Sequence, residues 1–124
     1  MDVTPQIAQG RPVIQSYGPD GFKVSDQLYS GSIILMHDVV QDWPVANSQH
    51  ISLERLSPIL AQVDDIELLL IGCGQAFCLI PPDIKAAFRR KGITIDAMDT
   101  GEACRTYSVL MAEERRVAAA LIKI

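Results

Sequence analysis

Three groups of residues in this chain have the types and spacing for chemistry. The first is Gly72-Cys73-Gly74, directly after the apolar run Leu68-Leu69-Leu70-Ile71. Glycines there let backbone N–H groups approach an anion closely, and the intervening thiol is a nucleophile wherever a neighbouring cation or a helix N-terminus lowers its pKa. The second is Asp99-Thr100, opening a helix of the form Asp-x-x-Glu with Glu102. Its oxygens are suited to capping, and its free N–H groups to an anion. The third is His37-Asp38, a base and its orienter in type but a surface pair by default. The glycine loop lacks the third glycine of a dinucleotide fingerprint, and a strand-like segment separates it from the next helix. Its plainer reading is a tight turn, as capping is for Asp99 and Thr100 and core packing is for Tyr107. Neither His37 nor His50 stands near a cysteine in sequence, so no catalytic residue is assigned. Cys73 and Cys78 make a poor zinc spacing without a second pair, so no metal or cofactor is assigned either.

The elements that would position these groups alternate. Val13–Tyr17 and Phe22–Val24 flank Gly18-Pro19-Asp20-Gly21, in which proline presets φ and glycine permits positive φ, predicting a hairpin. Leu28–Ser30 and Ser32–Met36 read as further strands, and Val39–Val45 as an extended or irregular stretch, with Trp43-Pro44 barring a helix. Ser52 predicts a helix through Leu53, Leu56 and Leu60, with Pro58 kinking or ending it. Ile66–Ile71 and Arg116–Ile122 are apolar on both faces and therefore central strands. Pro81-Pro82-Asp83 starts a helix that Gly92 stops, and Ile93–Met98 is the next strand. A helix over Thr100–Glu114 then carries the stripe Ala103, Tyr107, Leu110 and Met111. The expectation is a single α/β domain over residues 13–124, strand-rich in its first half, after a flexible lead over residues 1–12.

At 124 residues and net charge −4 the chain can bury a core but offers no clustered basic surface for nucleic acid. Arg89-Arg90-Lys91 falls at a helix end, where cations complement the dipole. No apolar stretch approaches the roughly 20 residues of a membrane span, and Met1–Pro5 has no signal-peptide pattern. The resulting expectation is a cytoplasmic protein with reduced thiols.

Several blocks together resemble a known family. They are Tyr17-Gly18-Pro19-Asp20-Gly21-Phe22, Gly31-Ser32, Trp43, Leu70–Gly74, Gly92-Ile93, Met98-Asp99-Thr100, Ala103-Cys104-Arg105-Thr106-Tyr107 and Glu113 with Arg115-Arg116-Val117-Ala118-Ala119-Ala120-Leu121. Over residues 13–122 the chain is similar to a small α/β family whose members include a mitochondrial assembly factor for respiratory complex I and a cytoplasmic adipogenesis-associated protein. The resemblance implies three layers around a central mixed β-sheet. It also implies a partner-binding, non-enzymatic role, with complex I subunits as partners and peripheral association with the inner membrane through them. Cys73 stands where the family carries Thr or Ser, and Ser108 where it carries Asn. Two candidate regions follow: a pocket formed by Gly72, Cys73, Gly74, Asp99, Thr100 and Tyr107, and a partner surface formed by Trp43, Arg105, Glu113, Arg115 and Arg116. An anion or small-molecule site in that pocket, or an enzyme built on it, is the competing reading.

Overall fold

The expected hairpin forms, and it seeds a small sheet of its own. The computed structural model describes residues 11–124, so most of the expected N-terminal lead lies outside the described residues. Strands β1 (Ile14–Gly18) and β2 (Gly21–Val24) pair antiparallel with Gly18 opposite Gly21, and β3 (Gln27–Tyr29) pairs with the far side of β2. Gly21 has φ +112°, and a Cβ there would collide with the Tyr29 carbonyl, so glycine is required at this turn. Along β2, Phe22 and Val24 are buried while Lys23 is exposed, the alternation of a sheet with one covered face.

A second, five-stranded sheet lies at the centre, in the order β5-β4-β8-β6-β7. Its strands are β4 (Ile33–Met36), β5 (Val39–Asp42), β6 (Leu68–Gly72), β7 (Thr94–Met98) and β8 (Val117–Leu121). β6 runs parallel to both β7 and β8, whereas β4 is antiparallel to β8 and β5 to β4. The two runs without a polar face, β6 and β8, are indeed interior. Ile34, Leu69, Ile71, Ala118 and Ala120 face one side of this sheet, with Leu56, Ile59, Ile84, Phe88 and Trp43 over them. Ile33, Leu35, Leu70, Val117, Ala119 and Leu121 face the other, under Phe22, Val24, Ala103, Tyr107 and Met111. Helices α1 (Ser57–Leu60) and α2 (Pro82–Arg89) therefore cover one face, and α3 (Thr100–Ala112) with the small sheet covers the other. The result is three layers around a mixed sheet. Connection β6–α2–β7 steps outward, whereas β7–α3–β8 steps back across β6. Right-handed crossovers in opposite directions put the two helices on opposite faces.

Of the extended or irregular stretch Val39–Val45, Val39–Asp42 is a strand, because residues 33–36 offer it a complete antiparallel partner across the His37-Asp38 turn. Three expectations are corrected. The helix expected from Ser52 begins only at Ser57. Ser52 Oγ accepts from the Arg55 N–H and closes a turn, while Pro58 sits in the first helical turn, where its missing N–H costs nothing. The last helix ends at Ala112, since Glu114 adopts φ +60°. Finally, Cys73 and Cys78 are not free thiols: they form a disulfide with Cα atoms 5.8 Å apart, leaving Cys104 as the buried free cysteine among the described residues.

Candidate functional site

Helices on opposite faces after the adjacent strands β6 and β7 open a crevice at the carboxyl ends of those strands, the place where α/β sheets bind ligands. The Gly72–Gly74 loop and the Asp99-Thr100 helix start meet there. Asp99 Oδ1 accepts from the Glu102 N–H at 2.8 Å, so Asp99 is the N-cap of α3. Thr100 N donates to Gly74 O (2.8 Å), Gly74 N to Thr100 Oγ1 (2.9 Å) and Thr100 Oγ1 to Ile122 O (2.7 Å). Cys73 N donates to Met98 O and Ile122 N to Gly72 O. Thr100 is fully buried, and a Cβ on Gly72 would lie 3.0 Å from Thr100 Cα. These groups therefore satisfy one another as a closed clamp that ties β6, β8 and α3 together. The glycine at position 72 serves the close approach of strand to helix.

Tyr107 is brought not to this crevice but to the layer between α3 and the small sheet, in one apolar cluster with Phe22, Val24 and Met111. Burial pushes its phenol well above the ordinary tyrosine range and pushes the Cys104 thiol up to about 12. Both groups stay protonated at neutral pH, and neither is poised as a nucleophile. His37 lies in the β4–β5 turn with Nε2 3.3 Å from the Gln62 carbonyl. Among the described residues no three His, Cys, Asp or Glu side chains stand together to hold a metal ion, and no helix is long and apolar enough to cross a membrane.

The residues expected to form one partner surface separate into three places. Trp43 is 3% exposed, packs in the core beneath α1 and donates from Nε1 to the Arg55 carbonyl at 2.8 Å; it is a core lid, not an exposed anchor. It also lies beside the C-terminal end of β8, since Trp43 N bonds Ser32 O at the start of β4. Arg115 and Arg116 precede the opposite end of β8. There Nε of Arg115 and an Nη of Arg116 donate to the two oxygens of Glu67, at 2.9 and 3.1 Å. Those two bonds hold the Glu67 carboxyl below its usual pKa. Arg105 and Glu113 occupy the solvent face of α3. A groove of about 820 Å³ runs there between α3 and β1, lined among others by Ile14, Tyr17, Cys104, Arg105, Val109 and Glu113. Arg105 donates to the Tyr17 hydroxyl at 3.0 Å, and the Tyr17 ring lies so close to Gly101 that a Cβ there would be 2.9 Å from its oxygen. Glu67 and the groove-lining side of Tyr17 were not among the expected site residues. Their partners are 48 and 88 residues away, and no local pattern announces them.

Comparison with known proteins agrees with this architecture. The chain is 37% identical to a Bartonella henselae protein described as an outer membrane protein, whose crystal structure superposes with a TM-score of 0.87 over 92% of this chain and 96% of that one. A Bordetella parapertussis crystal structure superposes with a TM-score of 0.85 at 31% identity, covering 94% and 99%. Among curated proteins, the NADH dehydrogenase (ubiquinone) 1 alpha subcomplex assembly factor 3 of Danio rerio is 31% identical over 93% of this chain, which spans 66% of that protein. The Homo sapiens counterpart is 33% identical over 88% of this chain, which spans 59% of it. The chain thus spans less than two thirds of the length of the assembly factors it matches. The family described as protein of unknown function (DUF498/DUF598) matches residues 14–122, and this chain belongs to it.

Proposed function

We propose that this chain is a non-enzymatic interaction factor that assists the assembly or stability of respiratory complex I. One observation carries the reading: its similarity, along about nine tenths of its length, to proteins named as complex I assembly factors. The side chains that invited a catalytic reading support it as well. Thr100 is engaged on both sides in the clamp, Cys73 is in a disulfide, and Cys104 and Tyr107 are buried and protonated. The partner surface includes the Arg115–Glu67–Arg116 fork, in which both guanidinium groups are about half exposed and held in place by one carboxylate. Complex I subunits with an acidic face are its partners, bound peripherally to the membrane in the compartment that holds the unassembled enzyme. The test is capture of the tagged chain from a native extract of its own organism, with partners identified by mass spectrometry. Complex I subunits should be recovered with wild type and with Cys78→Ser, and lost with the Arg115→Glu, Arg116→Glu double variant. Recovery of no such subunit from an extract that contains complex I defeats the proposal.

A further inference from the structure

The solvent face of α3 is complementary to itself. Arg105 and Val109 on α3 and Glu113, its C-cap, are spaced four residues apart and so continue one ridge. The middle of the ridge is apolar: Val109 is 57% exposed, with Ala112 exposed beside it. One end is cationic and the other anionic. Among the described residues neither Arg105 nor Glu113 has an oppositely charged partner within salt-bridge distance, whereas Arg115 and Arg116 do. The Tyr17 hydroxyl holds the Arg105 guanidinium at its end of the groove. Beside the ridge lies β1, an edge strand of its sheet, with Tyr17 39% exposed and Ile14 partly so. Among the described residues nothing pairs with that edge, and an open edge next to an apolar groove is a surface that proteins ordinarily cover.

We propose that this face is the interface of a homodimer, with the two α3 helices packed antiparallel across a two-fold axis at Val109. In a two-fold interface the contacts of one copy repeat in the other. Because Arg105 and Glu113 are equally far from Val109, the axis sets each Arg105 opposite the Glu113 of the other copy, about 12 Å apart along the helix from the second such pair. The Val109 side chains meet at the centre. The apolar groove beside each α3, with Ile14 and Tyr17 on its far wall, lies at the margin of that contact. A parallel arrangement, by contrast, would bring like charges together at both ends. The charge pattern thus selects a second copy in one orientation, and it does so independently of any role in complex I assembly.

The experiment is sedimentation velocity of the full chain across a concentration series, with circular dichroism confirming that each variant is folded. Wild type should sediment as a reversible dimer. Val109→Asp, which sets two carboxylates against each other on the axis, should give monomer. Arg105→Glu and Glu113→Arg alone should each weaken dimerisation by at least about tenfold, and the double exchange should restore it, because both reversed pairs are then attractive again. All three positions of substitution are exposed, so the folded core is not at stake. A wild-type monomer at a concentration of about 100 μM, above the range of typical stable dimers, overturns the proposal. So does a dimer that survives Val109→Asp, or a double exchange no tighter than the single reversals. Loss of a heterologous partner on Val109→Asp, with wild type monomeric alone, would assign the face to that partner and equally overturn it.

Discussion

Removing the Thr100 hydroxyl alone tests whether the crevice between β6 and β7 is a structural clamp. In Thr100→Val the side-chain volume is nearly kept, so no cavity opens, but the Gly74 N–H and the Ile122 carbonyl both lose their bond to Oγ1 in a fully buried setting. A buried backbone group left unsatisfied costs about 1–3 kcal/mol, and a carbonyl with a second lone pair falls at the lower end, so the expected loss is about 3 kcal/mol. For a chain of this size that corresponds to a fall in Tm on the order of 10 °C. Thr100→Ser keeps the hydroxyl and removes one methyl, for about 1 kcal/mol. Urea unfolding followed by the fluorescence of the single tryptophan, Trp43, reads both variants. Gly72→Ala should also destabilise, because its Cβ meets backbone at Thr100 Cα, and its cost should add less than fully to that of Thr100→Val since both open the same junction. If Thr100→Val lies within about 0.5 kcal/mol of wild type, or Thr100→Ser is as unstable as Thr100→Val, the clamp does not hold the sheet to α3 and the crevice is free to serve a ligand.

Other expectations follow from the same packing. Cys104 and Tyr107 both have raised pKa values in the folded protein, so the stability they confer is complete below the unfolded thiol value of 9.0 and is lost as pH rises through the folded value of about 12; Tm measured from pH 8 upward should hold steady and then fall from about pH 9. A flat profile to pH 11 contradicts the burial of both groups. Thiol titration of the non-reduced, denatured chain should give one thiol, and three would exclude the Cys73–Cys78 bond; because the bridge closes a short loop, reduction should lower stability by only about 2 kcal/mol. Trp43→Ala should cost about 3–5 kcal/mol, read by circular dichroism, with a smaller loss for Trp43→Phe; a change within 0.5 kcal/mol would return Trp43 to the surface.

The alternation of elements, the interior position of β6 and β8, the hairpin at Gly18–Gly21 and the Asp99 cap are legible in the sequence because each rests on contacts within a few residues. Period-2 and period-3.6 patterns, proline's fixed φ and a carboxylate three residues before its N–H partner are local facts. The edge strand β5 is legible only as an extended or irregular stretch. Val39–Asp42 is extended only because β4 offers it hydrogen bonds, and its own residues are mixed in polarity. Of the stripe read after Ser52, Leu56 is buried and Leu53 and Leu60 pack partly buried against the core, but regular helix spans only Ser57–Leu60.

The sequence by itself determined most of the strands and helices, which strands are interior, and that Gly72–Gly74 and Asp99-Thr100 lie at strand ends. Tertiary structure alone decided what those ends do: Thr100 reaches Ile122, 22 residues on, and ties the glycine loop to the helix start. It also decided that Trp43 is interior, that Arg115 and Arg116 share Glu67, and that Tyr17 crosses to Arg105. The physical reason is the same in each case. A side chain's period announces the face on which it lies, but its hydrogen-bond partner is set by which distant segment the folded sheet brings beside it.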